Sequence, residues 1–134
     1  MTRRNARFTL FAIWCIGSSL SIALVLAQTV VGRYGDEVLH AWAWLLSTIL
    51  PTLTFMATML VAFDDSTPTA TVRLGLFAWA SVISVAYLIL VVFTLFLQPF
   101  ATIDPIRLFA ISQLWLAPSQ ALALLLVTVF FIEP

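Results

Sequence analysis

Apolar residues fall into four long runs, separated by short polar segments. The runs cover approximately residues 8–31, 38–63, 72–97 and 106–132. Each run exceeds the roughly 20 residues that an α-helix needs to cross about 30 Å of hydrocarbon. The segments between them are too short to form a soluble domain, so consecutive helices are expected to run antiparallel. The pattern predicts an all-α membrane protein in which residues 1–134 form a single transmembrane domain of four transmembrane helices.

The second half of the chain resembles the first when it is shifted by about 66 residues. Both halves open with the pattern Arg-x-x-Leu-Phe-Ala, at Arg7 and at Arg73, and with one residue more Pro51 falls on Pro118. Two tandem helical hairpins, over residues 7–63 and 73–130, are therefore predicted, with chance alignment of apolar segments as the alternative. Each hairpin crosses the membrane twice, which predicts a pseudo-twofold axis along the membrane normal.

Polar residues recur at helical spacing inside the four runs. Three- and four-residue steps place each set near one helical face, and these faces are expected to point into the bundle. The candidate residues are Ser18, Ser21, Gln28, Ser47, Thr54, Thr58, Ser84, Tyr87, Thr94, Gln113 and Gln120. Their side chains would either form hydrogen bonds between packed helices or line a water path, within one bundle or between copies in a ring.

Two prolines lie near the middle of the second and fourth runs, at Pro51 and Pro118. A proline removes a backbone hydrogen bond, so a kink is predicted in each helix. Hydroxyl groups beside the prolines, at Ser47, Thr52 and Ser119, are expected to satisfy the freed carbonyls. The kinks are interpreted as structural bends, with a gating hinge as the alternative.

Composition excludes a soluble domain and a nucleic-acid partner. Only 9% of the residues are charged and 63% are hydrophobic, whereas a soluble globular domain has about 25% charged residues. The lipid bilayer is therefore an expected partner. Lysine is absent and the formal net charge is zero, which leaves no basic patch of the kind that binds nucleic acid.

Arginines are distributed unequally between the two ends of the predicted helices. One end carries Arg3, Arg4, Arg7 and Arg73, and the other carries Arg33 and Arg107. Because cytoplasmic segments carry excess positive charge, both termini are predicted to be cytoplasmic. The expected location is the bacterial inner membrane, with the chain as a multi-pass protein.

Residues that carry enzyme or ion-transport chemistry are missing from the apolar runs. Every Asp and Glu lies at or beyond a predicted helix end, which argues against an ion-coupled transporter. One histidine, His40, and one cysteine, Cys15, cannot form a metal cluster, and no cofactor is predicted. The sequence also lacks a nucleophile or phosphate-binding motif, so an enzyme is not expected.

Three functions remain compatible with these features. The preferred hypothesis is a non-enzymatic integral membrane subunit that packs within a larger membrane assembly. Its partners would be other membrane protein subunits or copies of itself. The alternatives are a homo-oligomeric channel or membrane-permeabilising effector, and a small facilitative transporter.

Overall fold

The computed structural model describes residues 2–62, 73–100 and 102–132, and this part of the chain is all-helical. Its long helices are α1 (Arg3–Val30), α2 (Val38–Ala62), α3 (Leu74–Leu97) and α4 (Pro105–Ile132). All four are long and apolar enough to span a membrane. The predicted all-helical architecture with four such helices is therefore confirmed. The predicted loop over residues 64–71 lies outside the described residues.

Local sequence signals explain the start of α1 and the turn between α1 and α2. The backbone N–H of Asn5 donates to the Thr2 hydroxyl oxygen at 3.3 Å, a capping contact that starts the helix well before the apolar run. Gly32 lies two residues beyond the end of α1, in the left-handed region with φ +78°. The N–H groups of Gly32 and Arg33 then donate to the carbonyls of Thr29 and Gln28, each at 3.0 Å, in the pattern of a Schellman motif.

The helices form a four-membered ring in cross-section. Contacts between described residues pair α1 with α2 and α3, and pair α4 with the same two helices. The order around the bundle is therefore α1, α3, α4, α2. Two side chains bridge the diagonals: Tyr87 of α3 donates to the Thr48 carbonyl of α2, and Arg7 of α1 donates to the Phe131 carbonyl of α4, each at 2.7 Å.

This order differs from the one expected for the predicted pseudo-twofold axis. A twofold rotation along the bundle would exchange α1 with α3 and α2 with α4, which requires the helices of each exchanged pair to lie diagonally. In the structure they are neighbours. The two hairpins thus lie side by side, and such a rotation does not describe their packing. The sequence repeat itself stays a prediction.

Large side chains fill the centre of the bundle. Trp14, Leu45, Tyr87, Leu116 and Phe131 each lie on an inward side and are completely or almost completely buried. The Trp14 and Tyr87 rings are 5.6 Å apart between centroids. Side chains from all four helices therefore occupy the interior of a single chain.

Candidate functional site

The polar residues predicted on α1 and α3 lie mostly in the interior. Ser18, Ser21, Ser84, Tyr87 and Thr94 are buried. Ser21 donates to the Gly17 carbonyl of its own helix at 2.9 Å, and Thr94 donates to the Leu90 carbonyl at 2.8 Å. A hydroxyl that bonds its own helix in this way is satisfied without a neighbouring helix.

Two longer side chains connect helices. The Tyr87 hydroxyl reaches the Thr48 carbonyl of α2, and Gln28 of α1 donates from its amide nitrogen to the Leu95 carbonyl of α3 at 3.0 Å. Both contacts are of the interhelical kind, in which a buried polar group finds a partner on another helix.

A polar contact between α2 and α4 is centred on Pro51. Proline lacks the N–H that would bond the carbonyl four residues earlier, which here is the carbonyl of Ser47. Gln120 of α4 donates from its amide nitrogen to that carbonyl at 3.1 Å, and lies 3.4 Å from the Thr48 carbonyl. The Ser47 hydroxyl, expected to serve the freed carbonyl, instead donates to the Trp44 carbonyl at 2.8 Å.

The sequence alone does not predict this contact, because Gln120 and Ser47 are 73 residues apart. No local pattern pairs a proline on one helix with an amide on another. The signal present in the sequence was a carbonyl without a donor at Ser47, together with an amide on a different run at a similar depth.

Both α2 and α4 continue through their prolines as uninterrupted helices. Beside Pro118, the Ser119 hydroxyl donates to the Trp115 carbonyl at 2.6 Å. The carbonyl that Pro118 leaves without its N–H donor is that of Leu114, four residues earlier, so the Ser119 hydroxyl does not bond the freed carbonyl as expected. The bends predicted at Pro51 and Pro118 stay predictions.

The polar residues of α2 lie on its outer side, contrary to expectation. Ser47, Thr54 and Thr58 are exposed, so the prediction that they point inward is wrong. The Thr54 and Thr58 hydroxyls donate to the carbonyls of Leu50 and Thr54, each at 2.8 Å. Because these hydroxyl hydrogens are bonded within α2, the side chains need no partner inside the bundle. The inward side of α2 is occupied by larger apolar side chains, among them Leu45, Ile49 and Met56.

The exposed polar residues of α2 and α4 meet along one line, here called the polar seam. On α2 the seam lies on the side towards α4, because Trp44 stacks on Phe109 of α4 at 4.2 Å between ring centroids and Gln120 reaches Ser47. On α4, Gln113, Ala117 and Gln120 follow each other at three- and four-residue spacing on one side. The seam consists of Ser47, Pro51, Thr54, Thr58, Gln113, Ala117, Gln120 and Ala121.

Gln113 and Gln120 differ in their hydrogen bonding, although both are partly exposed. Gln120 bonds α2, whereas the Gln113 amide has no hydrogen-bond partner among the described residues. The polar seam therefore holds an amide with unused donors and an unused acceptor.

The outer face formed by α1 and α3 has the opposite character. It presents bulky apolar side chains, among them Ile16, Leu20, Ile89, Phe93 and Phe96. A groove of about 460 Å³ runs between these two helices, and its lining consists of apolar side chains and Gly17. Bulky side chains are also exposed beside the polar seam, among them Leu50, Leu114 and Leu125, so the two faces differ in the line of small and polar residues that the seam adds.

A second polar cluster lies where α1 joins α2 and α3 ends. The buried Tyr34 hydroxyl donates to the amide oxygen of Gln28, and its oxygen lies 3.2 Å from the amide oxygen of Gln98. Burial raises the pKa of Tyr34 from 10.0 to about 12, against the opposing effects of the hydrogen bond with Gln98 and of the positive charge of Arg33.

Alkaline pH is expected to weaken the fold through Tyr34. The folded state holds the phenol proton more tightly than the unfolded chain, so the contribution of Tyr34 is complete below about pH 10 and is lost as the pH rises towards about 12. Chemical unfolding of the native chain and of Tyr34→Phe, measured from pH 9 to 12, tests this. The variant should show a shallower decline; parallel declines would contradict the assignment.

The contact at Pro51 gives a second prediction. Gln120→Leu should lower the free energy of unfolding by about 1 kcal/mol, because it leaves the Ser47 carbonyl without a donor. In a Pro51→Ala background the restored N–H bonds that carbonyl, so the same substitution should cost less. A double-mutant cycle on the monomeric chain measures the difference. Gln113→Leu is the matched control and should have little effect on this quantity; equal costs in both backgrounds would refute the coupling.

The chemistry of these sites is hydrogen bonding and packing. Among the described residues, no group of three or more His, Cys, Asp or Glu is placed to hold a metal ion. Comparison of the chain with protein-family models, with curated proteins and with solved structures gave no match. What the chain does therefore has to follow from its own geometry.

Proposed function

We propose that this chain is a non-enzymatic integral membrane subunit that packs within a larger membrane assembly through its polar seam. The observation that carries the proposal is the contrast between the two outer faces. The groove between α1 and α3 is lined by apolar side chains, whereas the polar seam carries hydroxyls, amides and alanines between flanking apolar side chains such as Leu50 and Leu114.

Lipid and protein make different demands on a helix surface. Acyl chains offer no hydrogen bonds, so the bulky apolar face suits lipid and the Gln113 amide does not. Helices that associate within a bilayer use small residues for close approach and hydroxyl or amide groups for contacts across the interface. The seam has both features, which supports a protein neighbour on this side.

Membrane insertion and orientation form part of the proposal. Four helices of sufficient length and hydropathy support a multi-pass arrangement, and the arginine distribution supports cytoplasmic termini in a bacterial inner membrane. Single cysteines at Thr2 and at Thr102, in a Cys15→Ser background, test the orientation. Membrane-impermeant reagent added outside should label Thr102→Cys alone; labelling of Thr2→Cys alone would reverse the orientation.

A homo-oligomeric channel is the second candidate, and the same seam favours it. Because side chains fill the interior of one chain, a water path would have to run between copies. A ring in which the seams face a common centre would line that path with Gln113 and the hydroxyls of Thr54 and Thr58.

A bulky substitution at the polar seam distinguishes a subunit of a larger assembly from a homo-oligomeric channel. Ala117→Leu should reduce the size of the particle obtained after mild extraction, because a leucine prevents close approach of a neighbouring helix. Ala86→Leu places the same substitution on the exposed side of α3 and should leave the particle unchanged. Equal behaviour of the two variants would refute the proposal. A normal particle with lost ion flux in liposomes would instead favour the channel.

A further inference from the structure

We infer that the polar seam is covered by a second copy of this chain, related to the first by a twofold axis along the bundle. This inference rests on the proposed function and names the partner. In such a pair, α2 of one copy lies against α4 of the other, twice, and equivalent ends of the helices lie at the same membrane boundary. The α2 side and the α4 side of the seam are complementary in charge and in hydrogen bonding. A twofold axis places each side against the complementary side of the other copy.

Charge complementarity occurs where α2 and α4 begin. Asp36 and Glu37 are exposed immediately before α2, and Arg107 is exposed in the first turn of α4. None of the three has an ion pair within the described residues. The other charged residues at this end, Arg33 and Asp104, have opposite charges, so they do not change the net charge of this end. A twofold axis brings the acidic start of α2 to Arg107 of the other copy at two equivalent places.

Hydrogen-bonding groups on the two helices are complementary as well, with acceptors on α2 and donors on α4. On α2, the hydrogens of the Ser47, Thr54 and Thr58 hydroxyls are used within the helix, so their oxygens remain as acceptors. On α4, the Gln113 amide has unused N–H donors. Because Gln120 contacts Ser47 and Trp44 stacks on Phe109, Gln113 lies near the depth of Ser47, and apposing α2 with α4 of a copy places the Gln113 donors near the Ser47 hydroxyl oxygen. Ala117 and Ala121 are small enough to permit close approach of a neighbouring helix.

An identical partner satisfies both requirements without any further component. A foreign helix would have to carry a basic, donor-rich side opposite α2 and an acidic, acceptor-rich side opposite α4. The chain itself carries these two sides in the swapped order that a twofold axis needs. The second copy is therefore the occupant that these charges and hydrogen bonds favour.

Charge reversal on separate copies tests the inference. Glu37→Arg and Arg107→Glu should each weaken self-association in detergent by at least about tenfold, because each variant paired with itself places like charges together twice. An equimolar mixture of the two variants should associate within about threefold of the native chain, since both contacts in the mixed pair join opposite charges. Differently tagged copies, with affinity measured by co-purification and sedimentation, report the mixed pair.

The mixture also distinguishes a contact between copies from one within a chain. If Glu37 and Arg107 of the same chain interacted, the two reversals would compensate each other only in one polypeptide and not in the mixture. Failure of the mixture to associate would overturn the inference. Unchanged helicity of both variants by circular dichroism excludes unfolding as the cause, and cross-linking of Thr54→Cys on one copy to Ala117→Cys on another gives independent support.

Failure of the inference and failure of the proposed function have different signatures. The charge-reversal mixture could fail to associate while Ala117→Leu still reduces the size of a particle that contains the chain and other proteins. In that case the partner is a different protein, and only the inference is wrong. If photoreactive groups placed at Thr54 and Ala117 cross-link to lipid alone, the seam has no protein neighbour, and both are wrong.

Discussion

Replacing Arg7 with methionine is expected to lower the free energy of unfolding by about 3 kcal/mol. Arg7 is only 3% exposed. Its Nη2 donates to the Phe131 carbonyl at 2.7 Å, and its guanidinium carbon lies 5.7 Å from the centre of the Phe131 ring. That carbonyl belongs to the last turn of α4, where carbonyls have no partner within the helix and where a positive charge is favourable. Methionine fills similar space but removes the donor and the charge.

The same arginine joins the first helix to the last, across a diagonal of the bundle. Loss of this contact should therefore loosen the end at which both helices meet, rather than one helix alone. Arg4→Met is the matched control, because Arg4 is exposed on the same helix and the substitution changes the net charge equally. Arg7→Lys should retain part of the stability, since an ammonium group keeps the charge but provides less directional donation.

Unfolding by denaturing detergent, followed by circular dichroism in the same micelle, measures these differences. A cost for Arg7→Met no larger than that for Arg4→Met would show that the buried contact adds nothing. Arg7→Lys as damaging as Arg7→Met would show instead that the geometry of the guanidinium, rather than its charge, holds α4.

The length of the apolar runs was sufficient to predict the four helices. An apolar run long enough to cross hydrocarbon has few alternatives to a helix, because every backbone group must be bonded within the segment. The predicted start of the third run at residue 72 and of the fourth at residue 106 lies close to Leu74 and Pro105, where α3 and α4 begin. The first helix starts earlier than its apolar run because the Thr2 side chain caps it.

Which side of each helix faces inward could not be predicted from polarity. In a soluble bundle the apolar side is the buried side, but here both sides of every helix are apolar, so hydrophobic periodicity contains little information about orientation. Polar residues do not resolve it, because a serine or threonine that bonds its own helix is compatible with either side. Ser84 is buried while Thr54 is exposed, although both lie in apolar surroundings.

The order of the helices around the bundle could not be predicted from the sequence either. The repeat suggested a rotation between hairpins, yet neighbouring helices are joined by long-range contacts such as those of Gln120 with Ser47 and of Gln28 with Leu95. These contacts involve residue pairs that are individually unremarkable in the sequence. The charge pattern at the starts of α2 and α4, from which we infer a second copy, becomes interpretable once the two helices are known to be neighbours.

Replacing Gly17 with valine is expected to lower the free energy of unfolding by about 2 kcal/mol. A Cβ atom at Gly17 would lie 2.7 and 2.9 Å from the two terminal carbons of Leu88 on α3. Leu88 is almost fully buried, so it has little room to move away. A valine adds two further methyl groups, and α1 and α3 would have to separate. Alanine at the same position should cost less, because it adds the Cβ atom without the two further methyl groups of valine.

The companion glycine of α3 supplies the matched control for this prediction. A Cβ at Gly75 would meet nothing within 4 Å, so Gly75→Val should leave stability nearly unchanged. If steric conflict with Leu88 is the cause, adding Leu88→Ala to Gly17→Val should make the double variant more stable than the sum of the two single effects predicts. Additive losses would contradict this, as would equal losses for Gly17→Val and Gly75→Val. Because Trp14 lies one turn before Gly17 and packs on Tyr87, separation of α1 from α3 should also shift tryptophan emission, measured in a variant that keeps Trp14 as its only tryptophan.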